Sequence, residues 1–475
     1  MRHHARVLVW TVLLGVAATL LPVGAPIALT TARTTARTIE LATSIGLAAM
    51  PTVGATRLTV STTRDAVSVS RSGPMTPELI ATVESIGASL GIPTARGRAF
   101  NIGLNAVRRG DRVVQQAAGT SGQWQYPMSV TALPIEAITS VMSIAVSTAV
   151  GQGGVVLSAT SAGLRGAQAG DVVDLVASDG GLRSFVLGYI APDTEVGGAE
   201  LVMSPDQADA LGAGVVTRVL MYGVTDRGQL DDRLTAGGII DGTTVRVSRS
   251  WWPRNPDGVL GSVRTKVLMG EFDYRVNSDD SLTLDPDWVA ANIVRVDYTS
   301  IGIRASCHRA ITAGIQAALD EIAAAGLGGA IDLGNTNTYG GCYNPRYARV
   351  SGVIGSVSRH AWGMAIDMNT VTNAQGRTPQ MDCRVVRIFR KHGFAWGGNF
   401  LVPDGMHFEW VGEARNALPY PSEYCPNVTS GGIESVPELA PELAPELAPG
   451  ETEGAVMFAG DGWFLVHTGD TDDHR

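Results

Sequence analysis

The sequence predicts an α+β domain with a small antiparallel sheet near the C-terminus, preceded by a β-rich domain. Three observations predict it. Short β-branched runs divided by Gly and Asp turns fill the region between residues 100 and 300. Further on, an apolar stripe at Ile311, Ile315, Leu319 and Ile322 has the period of a helix, and alternating runs at 364–368 and 406–411 have the period of strands. Finally, Cys307, Cys342, Cys383 and Cys425 are confined to this last region and mark residues 301–428 as one folded unit.

The chain is 475 residues long, enough for more than one core, and 45% hydrophobic with 17% charge, which excludes a wholly disordered protein. Lys and Arg total 36 against 45 Asp and Glu, so no concentrated basic face is available for nucleic acid. The 57 glycines suit short strands and tight turns better than a helical bundle.

Arg2, His3, His4 and Arg6 form a basic start, and no charged side chain follows from Val7 to Thr31. Residues 1–31 therefore read as a signal peptide or a membrane anchor. Val23-Gly24-Ala25 offers a small-residue cleavage site, but Pro26 makes it a poor one, and the apolar run is long enough to span a bilayer if uncut. Either way the remainder is expected outside the cytoplasm: secreted, in the cell wall, or tethered to the membrane. In that oxidising setting the four cysteines are expected to form disulfides, with three pairings open. No C-x-x-C spacing supports a cysteine-bound zinc instead.

Residues 32–75 read as a linker and 76–299 as the β-rich domain. Its first element is a helix from Pro77 to Leu90, capped by Thr76. Strands are expected at Gly154–Leu157, Val172–Val176 and Ser184–Leu187, the last after an Asp179-Gly180-Gly181 hairpin turn, and Ser204 opens a short helix. Gly153 to Ile190 resembles the extracytoplasmic core domain of MacB- and FtsX-type permeases; the alternative is a spacer or docking domain whose protein partner the residues do not name. Trp251-Trp252-Pro253 could contact sugar or peptide, or pack as a core pair closing a strand. Near Asn292–Ser300 the pattern changes, with a helix expected from His308 to Leu327, stopped by Gly326, and His308 and His392 on helices as structural residues. Residues 300–428 form the C-terminal domain. Residues 429–475 hold three Pro-Glu-Leu-Ala repeats, a low-complexity spacer, and an acidic tail in which Ala455–Phe458 and Trp463–Val466 could pair.

The chemistry concentrates in two segments. In SRHAWGMAIDMN (358–369), a turn at Ala361-Trp362-Gly363 leads into a strand that points Ala365, Asp367 and Asn369 one way and Met364, Ile366 and Met368 toward the core. In VPDGMHFEWVG (402–412), a turn at Asp404-Gly405 leads into a strand with His407, Glu409 and Val411 on one face. His360, Asp367 and His407 can thus converge, with Asp404 and Glu409 as nearby carboxylates. Two imidazoles and one carboxylate are a common set for catalytic zinc, leaving a position for water. A further carboxylate must then move the water proton. Trp362 and Trp396 are expected to pack in the core.

Ser358-x-His360-x-x-Gly363-x-Ala365-x-Asp367, Gly397-Gly398, Met406 to Trp410 and GGCYNPR (340–346) together resemble the VanY-type D-alanyl-D-alanine carboxypeptidases and related cell-wall endopeptidases, over about residues 300 to 426. The resemblance implies a zinc peptidase holding one ion per chain through His360, Asp367 and His407. It implies Asp404 as the catalytic base, with Glu409 orienting a ligand or taking the base role itself. Arg346 matches the arginine that holds the substrate carboxylate or carbonyl oxygen, with Arg349 as an alternative. Ser358 is either a substrate-binding hydroxyl or a turn residue. The implied substrate is the peptide stem of peptidoglycan. Asn399 departs from the acidic residue usual after the Gly-Gly pair. The rivals are a wall-binding module without chemistry, and a docking or assembly protein working through the β-rich domain.

Overall fold

The computed structural model describes residues 65–71, 73–118, 124–242, 244–279, 281–334, 339–348 and 356–427. The proposed N-terminal signal or anchor, most of the linker, the repeats and the acidic tail lie outside these. Among the described residues no helix is long and apolar enough to cross a membrane.

The helix Pro77–Leu90 forms as its sequence dictates: Thr76 accepts the Leu79 N–H, Pro77 takes the first turn, and Gly91 closes it in the left-handed conformation. Beyond it the chain is β-rich. The strand Thr94–Arg109 pairs with Val172–Val176 on one side and Trp124–Ala132 on the other. From there Leu182–Ala191, Val155–Ser158 and Leu201–Met203 complete a closed ring of six strands. Phe100, Leu104, Met128, Leu157, Leu175 and Leu187 fill its interior. Closure leaves no unpaired edge in the ring. The Asp179–Gly181 turn joins Val172–Val176 to Leu182–Ala191 as the hairpin signal predicts, and Ser204 caps Pro205–Ala210 with a full capping box.

The strands Tyr274–Val276 and Leu282–Leu284 extend this sheet from Trp124–Ala132, yet bury Tyr274, Leu282 and Leu284 in a different core. That core begins at Leu260 and runs to Cys425. Hydrophobic packing therefore crosses the expected boundary at residue 300. The pattern change near Asn292 is also not a passage straight into helix. A hairpin, Ile293–Tyr298 with Ile303–His308, comes first. His308 ends this strand and is not on a helix: its ring bonds to the Met269 carbonyl and accepts the Ala310 N–H, a structural role.

The predicted helix is shorter than its apolar stripe suggests, Thr312–Ala324 after a single 3-10 turn, and Ile315, Leu319 and Ile322 are buried along it. A second helix, Cys383–Lys391, buries Val385, Val386 and Phe389. Phe389 packs on the tilted Phe408 ring and meets Phe394 edge to face, with ring centroids 4.3 and 5.3 Å away. Truncating such a fully buried ring costs about 3–5 kcal/mol. These helices cover a four-stranded antiparallel sheet in the order Tyr339–Gly341, Ala365–Met368, His407–Trp410, Phe394–Trp396. This is the α+β arrangement with the small antiparallel sheet that the sequence predicts. Two disulfides, Cys307–Cys342 and Cys383–Cys425, resolve the three open pairings.

Candidate metal centre

His360 is delivered by a 3-10 turn, Arg359–Trp362, rather than a loop. Ser358 caps that turn through its hydroxyl, which accepts the His360 N–H, and Gly363 ends it at φ 63°. A Cβ at Gly363 would also sit 2.9 Å from the His308 nitrogen, so both conformation and space require glycine there. Ser358 is buried and occupied in this cap, as the turn-residue reading expects.

Asp367 and His407 are direct cross-strand partners, which puts their side chains on one face of the sheet. Glu409, two residues beyond His407, shares that face. The three expected ligands meet. His360 Nε2 lies 3.1 Å from Asp367 Oδ1 and 3.2 Å from His407 Nδ1, and the last two atoms are 3.1 Å apart. Zinc bonds of about 2.0–2.1 Å place tetrahedral ligand atoms about 3.3 Å from one another. The triangle therefore fits such an ion after slight expansion.

The outward side of each imidazole is fixed as well. His360 Nδ1 is 3.0 Å from the Cys342 carbonyl, to which it donates, so that a neutral ring would present its Nε2 lone pair to a cation in the site. His407 Nε2 faces the Glu409 carboxylate at 3.5 Å, and Glu409 in turn pairs with Arg359 at 3.1 Å. Burial alone would raise the Asp367 pKa, but hydrogen bonds from His360 and His407 hold it far below the usual carboxylate range. Burial would likewise lower that of His407, yet Asp367 and Glu409 push it up to about 10. A proton on His407 thus neutralises a site that is otherwise anionic. A cation would do the same from the centre of the triangle.

Asp404 sits on the turn before the His407 strand. Its Oδ2 accepts from Gln375 at 3.3 Å, while Oδ1 is buried with no hydrogen-bond partner among the described residues. Burial raises its pKa, and Asp367 adds to the rise while His407, His360 and Arg346 oppose it. Gly397 forms the wall behind it: a Cβ there would lie 2.5 Å from the Asp404 carbonyl oxygen and 3.0 Å from the His407 Cβ. Arg346 is close enough for its charge to act on Asp404, and its carbonyl accepts the Ser358 N–H. Arg349 lies outside the described residues.

Residues 353–410 match the family model of the D-alanyl-D-alanine carboxypeptidases. The C-terminal domain is thus similar to a peptidase family over the segment that carries all three ligand residues, Asp404 and Glu409. A comparison with characterised proteins returns no match, and nothing supports the likeness of the middle region to MacB- and FtsX-type domains. The two disulfides agree with an extracytoplasmic location.

Sequence reasoning missed the Cys342 carbonyl, Arg359 and Gln375 as partners of the site. Only Arg359, beside His360, carried a usable signal: a cation next to a ligand. Trp362 and Trp396 are buried, their indole nitrogens donating to Gly270 and Gly405 carbonyls. His392 caps the helix Cys383–Lys391 and pairs with Glu321 at 2.7 Å.

Proposed function

We propose that this chain is a zinc-dependent peptidase acting on the D-alanine-terminated peptide stems of bacterial peptidoglycan. One observation carries the reading: three ligand atoms converge in a triangle of 3.1–3.2 Å, beside the buried Asp404 Oδ1, which has no hydrogen-bond partner among the described residues. His360 Nε2, Asp367 Oδ1 and His407 Nδ1 would hold the ion. Zinc held there would supply Lewis acidity, polarising the scissile carbonyl and making the attacking water more acidic.

The remaining steps belong to the chain's own groups. Asp404 Oδ1 takes the proton of the attacking water and passes it to the leaving amine nitrogen as the peptide bond breaks. Burial, which makes this carboxylate more basic than usual, suits it to hold that proton. Glu409 keeps the His407 Nε2–H oriented, and the Cys342 carbonyl does the same for the His360 Nδ1–H. Arg346 receives the C-terminal carboxylate of the stem, a charge-assisted contact that favours carboxypeptidase over endopeptidase action. Ser358 acts by position, holding the His360 turn.

The test is mass analysis of purified peptidoglycan fragments incubated with the zinc-loaded protein. Release of the terminal D-alanine is the expected product. Intact stems under conditions of full zinc occupancy would overturn the proposal.

A further inference from the structure

The turn Gly397–Asn399, which walls the metal centre on one side, borders a second space on the other. A cleft of about 400 Å³ lies between this turn and the tail of the β-rich region. Such a volume is within the usual range for small-ligand sites, about 300–1,000 Å³. Trp252, Phe400 and Tyr420 line it, with Arg246, Arg249 and Asp241. It adjoins the centre: the Phe400 ring lies 5.9 Å from that of His407, and Pro403, also in the lining, precedes Asp404.

The chemistry of the lining limits what it can hold. Four aromatic side chains, these three and Tyr424, offer apolar surface, none of them wholly buried. Trp252 is held in place by the Arg249 guanidinium 4.2 Å from its ring and by the Tyr420 edge at 6.3 Å. Both cations have carboxylate partners, Arg249 with Asp231 at 2.5 Å and Arg246 with Asp241 at 3.5 Å. Arg246 also donates to the Asn399 carbonyl. Glu423, the remaining carboxylate of the lining, takes a hydrogen bond from the Tyr424 hydroxyl, and an anionic ligand would find both cations already countered. A neutral ligand with apolar faces and many hydroxyl or amide groups would find aromatic surface and polar atoms together.

We propose that this cleft is a saccharide subsite, taking the amino-sugar glycan that carries the stem peptide cut at the metal centre. The inference rests on the peptidase reading. It assigns the β-rich region, through Trp252, Arg246 and Arg249, to recognition of the sugar portion of the same substrate. Of the Trp251-Trp252 pair, Trp251 packs beside the upstream core while Trp252 faces the cleft.

Two measurements test it on the full chain. The first is kcat/KM of the zinc-loaded enzyme for a stem peptide with and without its attached disaccharide. The glycosylated form is expected to be preferred, mainly through KM, and W252A or Y420A should each lower the preference about tenfold, the loss of one stacked aromatic face. W252F should restore most of it, which separates lost stacking from misfolding. The second is a titration of the metal-free chain with the free disaccharide, read by tryptophan fluorescence, expected to saturate in wild type and not in W252A. No saccharide binding together with equal turnover of both substrates would overturn the subsite and leave the peptidase reading intact. Saccharide binding without hydrolysis of either substrate would support the subsite and sink the peptidase reading. A KM increase in W252A for the unglycosylated peptide as large as that for the glycosylated one would overturn the subsite in favour of a peptide-binding cleft.

Discussion

Replacing Asp404 by Asn keeps the size of the side chain and removes its capacity to accept a proton. The buried Oδ1 has no hydrogen-bond partner among the described residues, so the substitution breaks no bond there, and the contact with Gln375 is through the other oxygen. Zinc content should stay near that of wild type, because the three ligand atoms belong to other residues. Turnover per bound zinc should fall about 100- to 10,000-fold, the usual effect of losing a positioned general base. That is about 3–5 kcal/mol on the barrier. Glu409→Gln makes the reciprocal case. It removes the anion facing His407 Nε2 and leaves Arg359 without its carboxylate, so zinc affinity should weaken about 10- to 100-fold. Turnover should then fall largely through lost metal. The assay is D-alanine release from a stem peptide, normalised to zinc measured in the same sample. An Asp404→Asn enzyme with wild-type turnover, beside a zinc-loaded but inactive Glu409→Gln, would exchange the two roles. Wild-type turnover in both would remove the base from this site altogether.

Metal analysis should find one zinc per chain, lost on His360→Ala or His407→Ala; full occupancy in both variants would refute the ligand set. In the metal-free protein His407 titrates at about 10, above its ordinary 6.5, so its stabilising contribution is present in full below 6.5 and lost as pH rises toward 10. Zinc needs the neutral ring, so uptake at pH 7–8 should release about one proton per ion, measurable with an indicator dye, and release of none would contradict the protonated His407. Each disulfide closes a loop of similar length, 35 and 42 residues, and removing either should cost about 4 kcal/mol in the chain-entropy model. Only loss of Cys307–Cys342, which anchors the carbonyl bonded to His360, should also weaken zinc binding; equal affinities in the two variants would show that this anchor is dispensable.

The candidate metal set was legible because each of its residues lies in a short segment whose own period decides where it points. Strand alternation puts Asp367 and His407 on one face, and the register makes them neighbours. The small sheet and two helices follow from the same local patterns. What was not legible is carried by backbone atoms and by distant partners. The Cys342 carbonyl has no side-chain signature, so nothing marked it as the partner of His360. Helix boundaries were blurred because Arg309–Ile311 continues the apolar stripe as a 3-10 turn. The domain boundary was obscured because Leu260, Met269 and Phe272 carry no mark of which core they join. Closure of the six-stranded ring depends on the strand Thr94–Arg109 pairing on both sides, a property of register rather than composition.

Asn399 shows how such a distant partner decides a local departure. In the family that the C-terminal domain resembles an acidic residue usually follows the Gly-Gly pair, and Asn399 departs from it. The asparagine instead points at Asp257, donating from Nδ2 at 2.7 Å, with a second bond to the Tyr424 carbonyl. Asp257 comes from the segment before residue 300 and is wholly buried. It forms an ion pair with Arg390 of the helix Cys383–Lys391 and accepts the Trp396 N–H. A carboxylate at 399 would set two buried anions within hydrogen-bonding distance, whereas the amide gives Asp257 a further donor. Losing one member of a buried pair of this kind costs about 3–5 kcal/mol. Arg390, Trp396 and Asn399 flank the turn whose Gly397 backs Asp404 and His407. The upstream segment is therefore a structural member of the domain that carries the candidate metal centre, and the identity of residue 399 follows from Asp257.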